Sequence, residues 1–250
     1  MKSILKKVLV LAVLAPLFAV TAQAQDKGVN FNVQGDIVSS YIWRGMYQSG
    51  AAVQPTLGMN VGGFSLTAWG SVDFNGEGKK EADITAAYSF SGLTVSLADY
   101  WWAGQNAMGG ETHNKYFMLD NHRSNHILEA GIAYTLPCEK FPLSMSWYTM
   151  VWGADKKTND EGEIKNAYSS YCEFNYPFSV KGIDLNATLG MSPFESQANY
   201  LNDSFAVTNI ALKASKEVKF TDSFSLPVYT QVIWNPNRED VHFVFGITLK

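Results

Sequence analysis

The sequence predicts an all-β protein, a transmembrane antiparallel β-barrel of about twelve strands, and three observations point there. Apolar and polar residues alternate through nearly the whole chain after its first 25 residues. The polar parity carries Ser, Thr, Asn, Gln, Gly and a few acids, as a wet lumen would, while most charges collect in the connections. The connections themselves alternate between tight and long.

The chain opens with Lys2, Lys6 and Lys7, continues through the apolar run Val8 to Val20, and reaches Ala22-Gln23-Ala24. A charged start, an apolar stretch and a small-residue cleavage site read as a signal peptide, so residues 1–24 are expected to be removed and 25–250 to form the barrel. As a membrane anchor the run is too short, since a spanning helix needs about 20 apolar residues.

The formal charge of −4 becomes more negative once those lysines are lost, which leaves no basic surface for nucleic acid. An aromatic content of 14% with 20 glycines, at near-neutral mean hydropathy, suits alternating β-structure better than a helical core. Cys138 and Cys172 are too few for a disulfide scaffold. One falls in a turn and the other well up the next strand, too far apart to be bridged.

Taken in order, Phe31, Val33, Ile37, Tyr41 and Trp43 share one parity of a first strand, and Asn32, Gln34, Asp36, Ser40 and Arg44 take the other. Val53, Leu57, Met59 and Val61 then alternate with Gln54, Thr56, Gly58 and Asn60. After Gly62-Gly63, Phe64, Leu66, Ala68, Val72 and Phe74 oppose Ser65, Thr67, Trp69, Ser71 and Asp73. Further strands are expected near 82–90, 93–102, 126–136, 143–152, 167–178, 183–192, 205–215, 225–234 and 240–249. Gly62-Gly63, Ser91-Gly92, Pro137 to Pro142 and Val180 to Gly182 read as periplasmic turns, and 74–81, 103–125, 153–166 and 193–204 as outer loops. Two connections fit less well: 216–224 is long for a turn and 235–239 short for a loop.

Tyr and Trp favour membrane interfaces. Tyr41, Trp43, Phe74, Trp101, Tyr168 and Trp234 are placed in an outer girdle, and Phe31, Phe64, Tyr88, Phe90, Tyr134, Tyr176 and Phe178 in a periplasmic one. The last segment alternates Val241, Phe243, Phe245, Ile247 and Leu249 with His242, Val244, Gly246 and Thr248, in the manner of a terminal barrel strand, although it ends on Leu249-Lys250 rather than an aromatic.

The stretch from Gly35-Asp36 through Ser40-Tyr41-Ile42-Trp43-Arg44-Gly45 and Gln48 to Gln54-Pro55, continued by Phe64 and Trp69-Gly70-Ser71, resembles the TorF-like family of outer-membrane porins. Tyr41, Trp43, Arg44, Gly45 and Gln48 match that family's opening motif, whereas Ser40 stands where it has an acid. The motif covers roughly the first fifth of the mature chain. The resemblance implies a small barrel with a pore and supplies no substrate.

By parity the expected pore-lining residues are Asp36, Arg44, Gln54, Trp69, Asp73, Asp83, Glu129, Tyr148, Glu173 and Asp184, with Tyr100, Tyr171 and Tyr229 also turned inward. An acidic lumen concentrates cations, unless the groups pair among themselves and plug it. Glu111, His113, Asp120, His122 and His126 lie in or beside loop 103–125, where solvated histidines are expected rather than a metal site. No G-x-S-x-G elbow occurs and no histidine is placed beside a nucleophile, so neither catalytic residues nor cofactors are expected. The expected function is passive diffusion of small hydrophilic solutes or ions across the bacterial outer membrane. The expected partners are that bilayer, the barrel assembly machinery and the solutes. The alternatives are a non-conducting barrel that displays its loops and an outer-membrane lipid hydrolase.

Overall fold

Alternation turns into pairing along the chain. A computed structural model describes residues 28–76, 80–103, 115–121, 123–222 and 224–250. The expected leader, together with Lys79, Glu111, His113 and His122 of the long loops, lies outside them. The strands are β1 (Asn30–Val38), β2 (Tyr41–Trp43), β3 (Met46–Ser49), β4 (Ala52–Val61), β5 (Phe64–Asp73), β6 (Lys80–Phe90), β7 (Leu93–Ala103) and β8 (His126–Thr135). They continue as β9 (Ser144–Gly153), β10 (Lys156–Thr158), β11 (Ile164–Asn166), β12 (Ser170–Val180), β13 (Ile183–Ser192), β14 (Ala206–Thr221), β15 (Phe224–Asn235) and β16 (Asp240–Leu249).

Twelve of these strands close into one barrel, in the ring order β1, β16, β15, β14, β13, β12, β9, β8, β7, β6, β5, β4. Each neighbouring pair is antiparallel, and the ring is sealed where Gly35 to Val38 of β1 pair with Gly246 to Leu249 of β16. Closure gives each of the twelve wall strands a neighbour on both sides, so none is an edge strand. The short hairpins β2–β3 and β10–β11 stand outside the ring.

At one end the strands are joined by minimal turns. Phe90 pairs with Leu93 across Ser91-Gly92, and Val180 with Ile183 across Lys181-Gly182. All four turn residues have positive φ, the type I′ signature whose twist matches that of the flanking strands. The long connections lie at the opposite end, called the loop end below. The reading of 216–224 as an overlong link is corrected. There β14 runs on to Thr221 and β15 begins at Phe224, so the extra residues are paired strand that extends past the neighbouring turns. The count of twelve is unaffected.

The outer face is apolar. Phe31 is 72% exposed, Val33 68% and Leu57 54%, and Val241, Phe243 and Phe245 are exposed on the closing strand. A water-facing barrel would turn these positions inward, so the parity assigns the outside to hydrocarbon. Inside, tyrosines are accommodated by glycines on adjacent strands. A Cβ added at Gly246 would lie 2.2 Å from Tyr229 Cζ, and one at Gly190 only 1.9 Å from Tyr171 Oη. The rings lie flat against the wall, filling it without projecting across the lumen.

The first strand differs from expectation. The barrel strand ends at Val38, and residues 41–49 fold as β2–β3 instead of lengthening the wall. A hairpin inside the barrel and a strand in its wall share the two-residue period, so alternation alone could not separate them. Tyr41 is buried and Trp43 packs inside, so both leave the expected girdle, whereas Phe74, Tyr168 and Trp234 are exposed.

Two substitutions test these assignments. Leu57→Arg should destabilise the barrel by about 2–4 kcal/mol near the bilayer midplane, and Thr56→Arg by much less, read from unfolding in lipid. Gly246→Ala should cost about 1–3 kcal/mol by displacing the Tyr229 ring. Gly35→Ala, whose Cβ meets nothing within 4 Å, serves as the control.

Candidate functional site

The hairpin β2–β3 begins with a turn few sequences could make. Trp43 pairs with Met46 across Arg44-Gly45, and both turn residues have positive φ, 52° and 82°. Gly45 is required twice over, because a Cβ there would sit 1.8 Å from the Thr208 carbonyl oxygen of β14. Arg44 has no such freedom and adopts left-handed backbone at a cost of about 1–3 kcal/mol, which surrounding contacts must offset.

Those contacts reach opposite sides of the lumen. Asn235 of β15 donates to the Gly45 carbonyl at 3.1 Å. Ile42 packs on an apolar cluster of Val38, Ala52, Ala211, Ile233 and Val244. Trp43 packs on a second cluster, Trp102, Ile127, Met150 and Ala154, on the wall formed by β7 to β9. Arg44 completes the span. Its Nη1 donates to Glu129 Oε2 at 2.6 Å and its Nη2 to Oε1 at 2.8 Å, a two-pronged bond to β8. The hairpin is therefore a strap laid across the barrel from the β14–β15 side to the β8 side.

The guanidinium is also covered by rings, at 4.6 Å from the centre of Trp43 and 4.5 Å from those of Tyr148 and Tyr171. Tyr100 donates to Glu129 Oε1 at 2.9 Å, and Tyr200 accepts from Arg44 Nη1 at 2.7 Å. Only 9% of the Arg44 side chain and 2% of that of Glu129 are exposed. Such a pair is stable because its hydrogen-bonding capacity is met; either partner alone would be an uncompensated buried charge.

Tyr200 comes from the connection between β13 and β14, which a buried carboxylate ties down. Asp155 accepts from Ser169 Oγ at 2.6 Å, Ser169 N at 2.8 Å and Asn199 Nδ2 at 2.7 Å. Burial pushes the Asp155 carboxyl above its ordinary range, against the pull of the Ser169 and Asn199 hydrogen bonds and the nearby Lys156 ammonium. Asn199 precedes Tyr200, so this network sets the height of the phenol over Arg44.

The residues expected along the pore fall into three groups. Arg44, Glu129 and Tyr148 meet in the strap contact, although Arg44 reaches it from the strap and not from a wall strand as expected. Glu173 lies beside it, accepting from Tyr171 Oη at 2.6 Å and Asn175 Nδ2 at 2.6 Å. Gln54, Trp69, Asp73 and Asp83 sit together on β4 to β6, where Gln54 donates to Ser71 at 3.3 Å and Trp69 faces Tyr41 at 5.4 Å. Asp36 and Asp184 stand apart from both sets: Asp36, across from Gln54 on β1, accepts from Thr248 of β16 at 2.5 Å, and Asp184 at the turn end accepts from Ser179 at 2.7 Å. Sequence reasoning missed Glu81, which shares the inward parity of Asp83, and the inward Lys213, whose ammonium lies 3.9 Å from the Tyr229 ring centre. Parity would have found both. Tyr200 carried no such signal, because it lies in a loop.

Between the strap and the turn end a cavity of about 400 Å³ is lined by Arg44, Thr85, Thr94, Ser96, Ala98, Tyr100, Glu129, Tyr148, Tyr171 and Glu173.

The expectation of solvated histidines is corrected at His126. It is buried on β8, facing outward, with Nδ1 2.9 Å from the Asp99 carboxylate and Nε2 against the Tyr116 carbonyl. Both ring nitrogens face acceptors, which leaves neither free to activate a hydroxyl. His242 turns inward and stacks on Tyr47. Among the described residues no three His, Cys, Asp or Glu side chains converge as metal ligands.

A closed antiparallel barrel of twelve strands with an apolar outside and a polar inside has the architecture of a membrane-spanning β-barrel. Solved structures similar to it include CdiB from Acinetobacter baumannii, at 12% identity and a TM-score of 0.40 over 91% of this chain. The chain spans 60% of that protein's length. Salmonella typhi OmpF, in complex with daunomycin, is similar at 9% identity and a TM-score of 0.36, covering 90% of this chain and 98% of that one. No protein-family model and no curated protein matches the chain.

Trypsin provides a direct probe of the strap, since cleavage after Arg44 requires that residue to leave the lumen. The folded wild type should resist nicking at Arg44-Gly45, and Glu129→Ala should raise its rate by roughly a hundredfold, as loss of about 3 kcal/mol from a buried pair implies. Mass spectrometry of the nicked barrel reads the site.

Proposed function

We propose that the protein resides in the bacterial outer membrane, with its loop end outward. There it acts as a gated, narrow diffusion channel for small hydrophilic solutes or ions. The observation that carries this reading is the strap. With Tyr200 lying over it, the strap fills the lumen with Trp43 and Arg44, yet it is held by one ion pair, hydrogen bonds with Asn235 and Tyr200 and two apolar contacts, all of which a rearrangement of a single hairpin would release.

A barrel meant only as an anchor needs no such device. Its lumen could be closed by wall side chains alone, with no backbone held at positive φ and no buried ion pair reaching across. The acids Asp36, Asp73, Glu173 and Asp184 outnumber Lys213 at inward positions, and Arg44 is offset by Glu129. An open lumen therefore favours cations. The solutes would be small, since twelve strands enclose a narrow interior.

In planar bilayers the wild type should be closed most of the time, with brief discrete openings, and Glu129→Gln should raise the open fraction by about tenfold, equivalent to roughly 1.4 kcal/mol. In a potassium chloride gradient the reversal potential of those openings should lie on the cation side. Combined Glu173→Gln and Asp184→Asn should move it toward zero. Selectivity should fade as salt shortens the Debye length toward about 3 Å near 1 M. Sealed bilayers with both wild type and Glu129→Gln, after heat-modifiable gel mobility has verified folding, would favour the non-conducting anchor.

A further inference from the structure

The groups around the Arg44 guanidinium divide into those that travel with the strap and those that stay. Trp43 belongs to the strap. Tyr100, Glu129, Tyr148 and Tyr171 are fixed to wall strands β7, β8, β9 and β12 in that order, and Tyr200 is fixed by the Asp155 network. When the strap withdraws, what remains is a carboxylate spaced to take two parallel N–H donors, at 2.6 Å and 2.8 Å, beside two tyrosine faces that lay 4.5 Å from a planar cation. A phenol oxygen stands 2.7 Å from one of those nitrogens. The 400 Å³ cavity opens next to this cradle, so a ligand occupying the guanidinium position would have room for the rest of its body.

We propose that this cradle is a binding site for small molecules bearing a guanidinium head, and that Arg44 occupies it as a tethered ligand which such molecules displace. The inference rests on the gated reading above for its effect on conduction, but binding can be tested apart from it. A guanidinium is favoured over an ammonium because Glu129 is engaged by two nitrogens at once and because a planar, weakly hydrated cation lies on the aromatic faces. The compact, strongly hydrated head of a lysine-like amine offers neither feature. Glu173 supplies a second carboxylate on the cavity wall for a ligand with a second positive charge.

Agmatine, which carries a guanidinium and a distant amine, is a suitable probe, and cadaverine, with two amines, is its control. Calorimetry on the refolded, detergent-solubilised full barrel should show that Arg44→Ala binds agmatine about tenfold more tightly than wild type, because the tethered competitor is gone. It should also bind agmatine about tenfold more tightly than cadaverine, and addition of Glu129→Gln should remove that preference. If Arg44→Ala does not reach the heat-modifiable form, Arg44→Gln keeps the length of the side chain without its charge and is tested in the same way. In wild-type bilayers agmatine should raise the open fraction where equal cadaverine does not. Absence of agmatine binding by a folded Arg44 variant, or equal affinity for the two amines, overturns the inference while leaving the gated channel standing. Selective binding with bilayers that stay sealed supports the site and overturns the gated reading instead.

Discussion

The inside of this barrel is organised by one buried charge pair, Arg44 with Glu129. Two ions held in a lumen with only a few per cent of their surface wet are tolerable only if each hydrogen bond is made. That requirement reaches outward through the structure. It needs Tyr100 beside Glu129 and Tyr200 above Arg44, and Tyr200 in turn needs the loop network centred on Asp155. It also needs Arg44 at the tip of a turn with positive φ, which Gly45 permits by lying against the β14 backbone. The strain at the turn and the burial of the ions are two costs offset by the same set of contacts, which is why so many neighbours converge on one side chain.

The wall and the strap obey different physics. The wall is stabilised by closed hydrogen-bond ladders and by an exterior that prefers hydrocarbon, and its inner face is smoothed by tyrosines lying over Gly190 and Gly246. None of this depends on the strap. The strap depends on the wall, which supplies Asn235, the cluster around Ile233 and Glu129, and on the β13–β14 connection, which supplies Tyr200. A small element bound to a closed cylinder relies on that cylinder for the position of each of its contacts.

How much of this could be read beforehand differs from element to element. Val53 to Val61, Phe64 to Asp73 and the closing strand to Leu249 were readable because a wall strand has two chemically distinct sides and the residues alternate accordingly. The turns at Ser91-Gly92 and Lys181-Gly182 were readable because positive φ selects glycine. Glu129, Tyr148 and Glu173 were placed inward by the same parity. Tyr41 and Trp43 were misplaced in a girdle because an aromatic stripe looks the same whether it faces lipid or packs against the far wall. His126 was misjudged as solvated because its partners, Asp99 and Tyr116, are distant in sequence and come together only across strands and a loop.

By itself, the sequence determined the class of fold, the strand count and which side of each wall strand is apolar. Period-two alternation and turn chemistry are local properties, and a barrel is a sum of local hairpins. Only the tertiary structure decided that residues 41–49 cross the lumen, that Arg44 meets Glu129 there, and that Tyr200 covers them. Those contacts join residues 85 and 156 positions apart. They depend on the diameter and closure of the ring, which no single segment encodes.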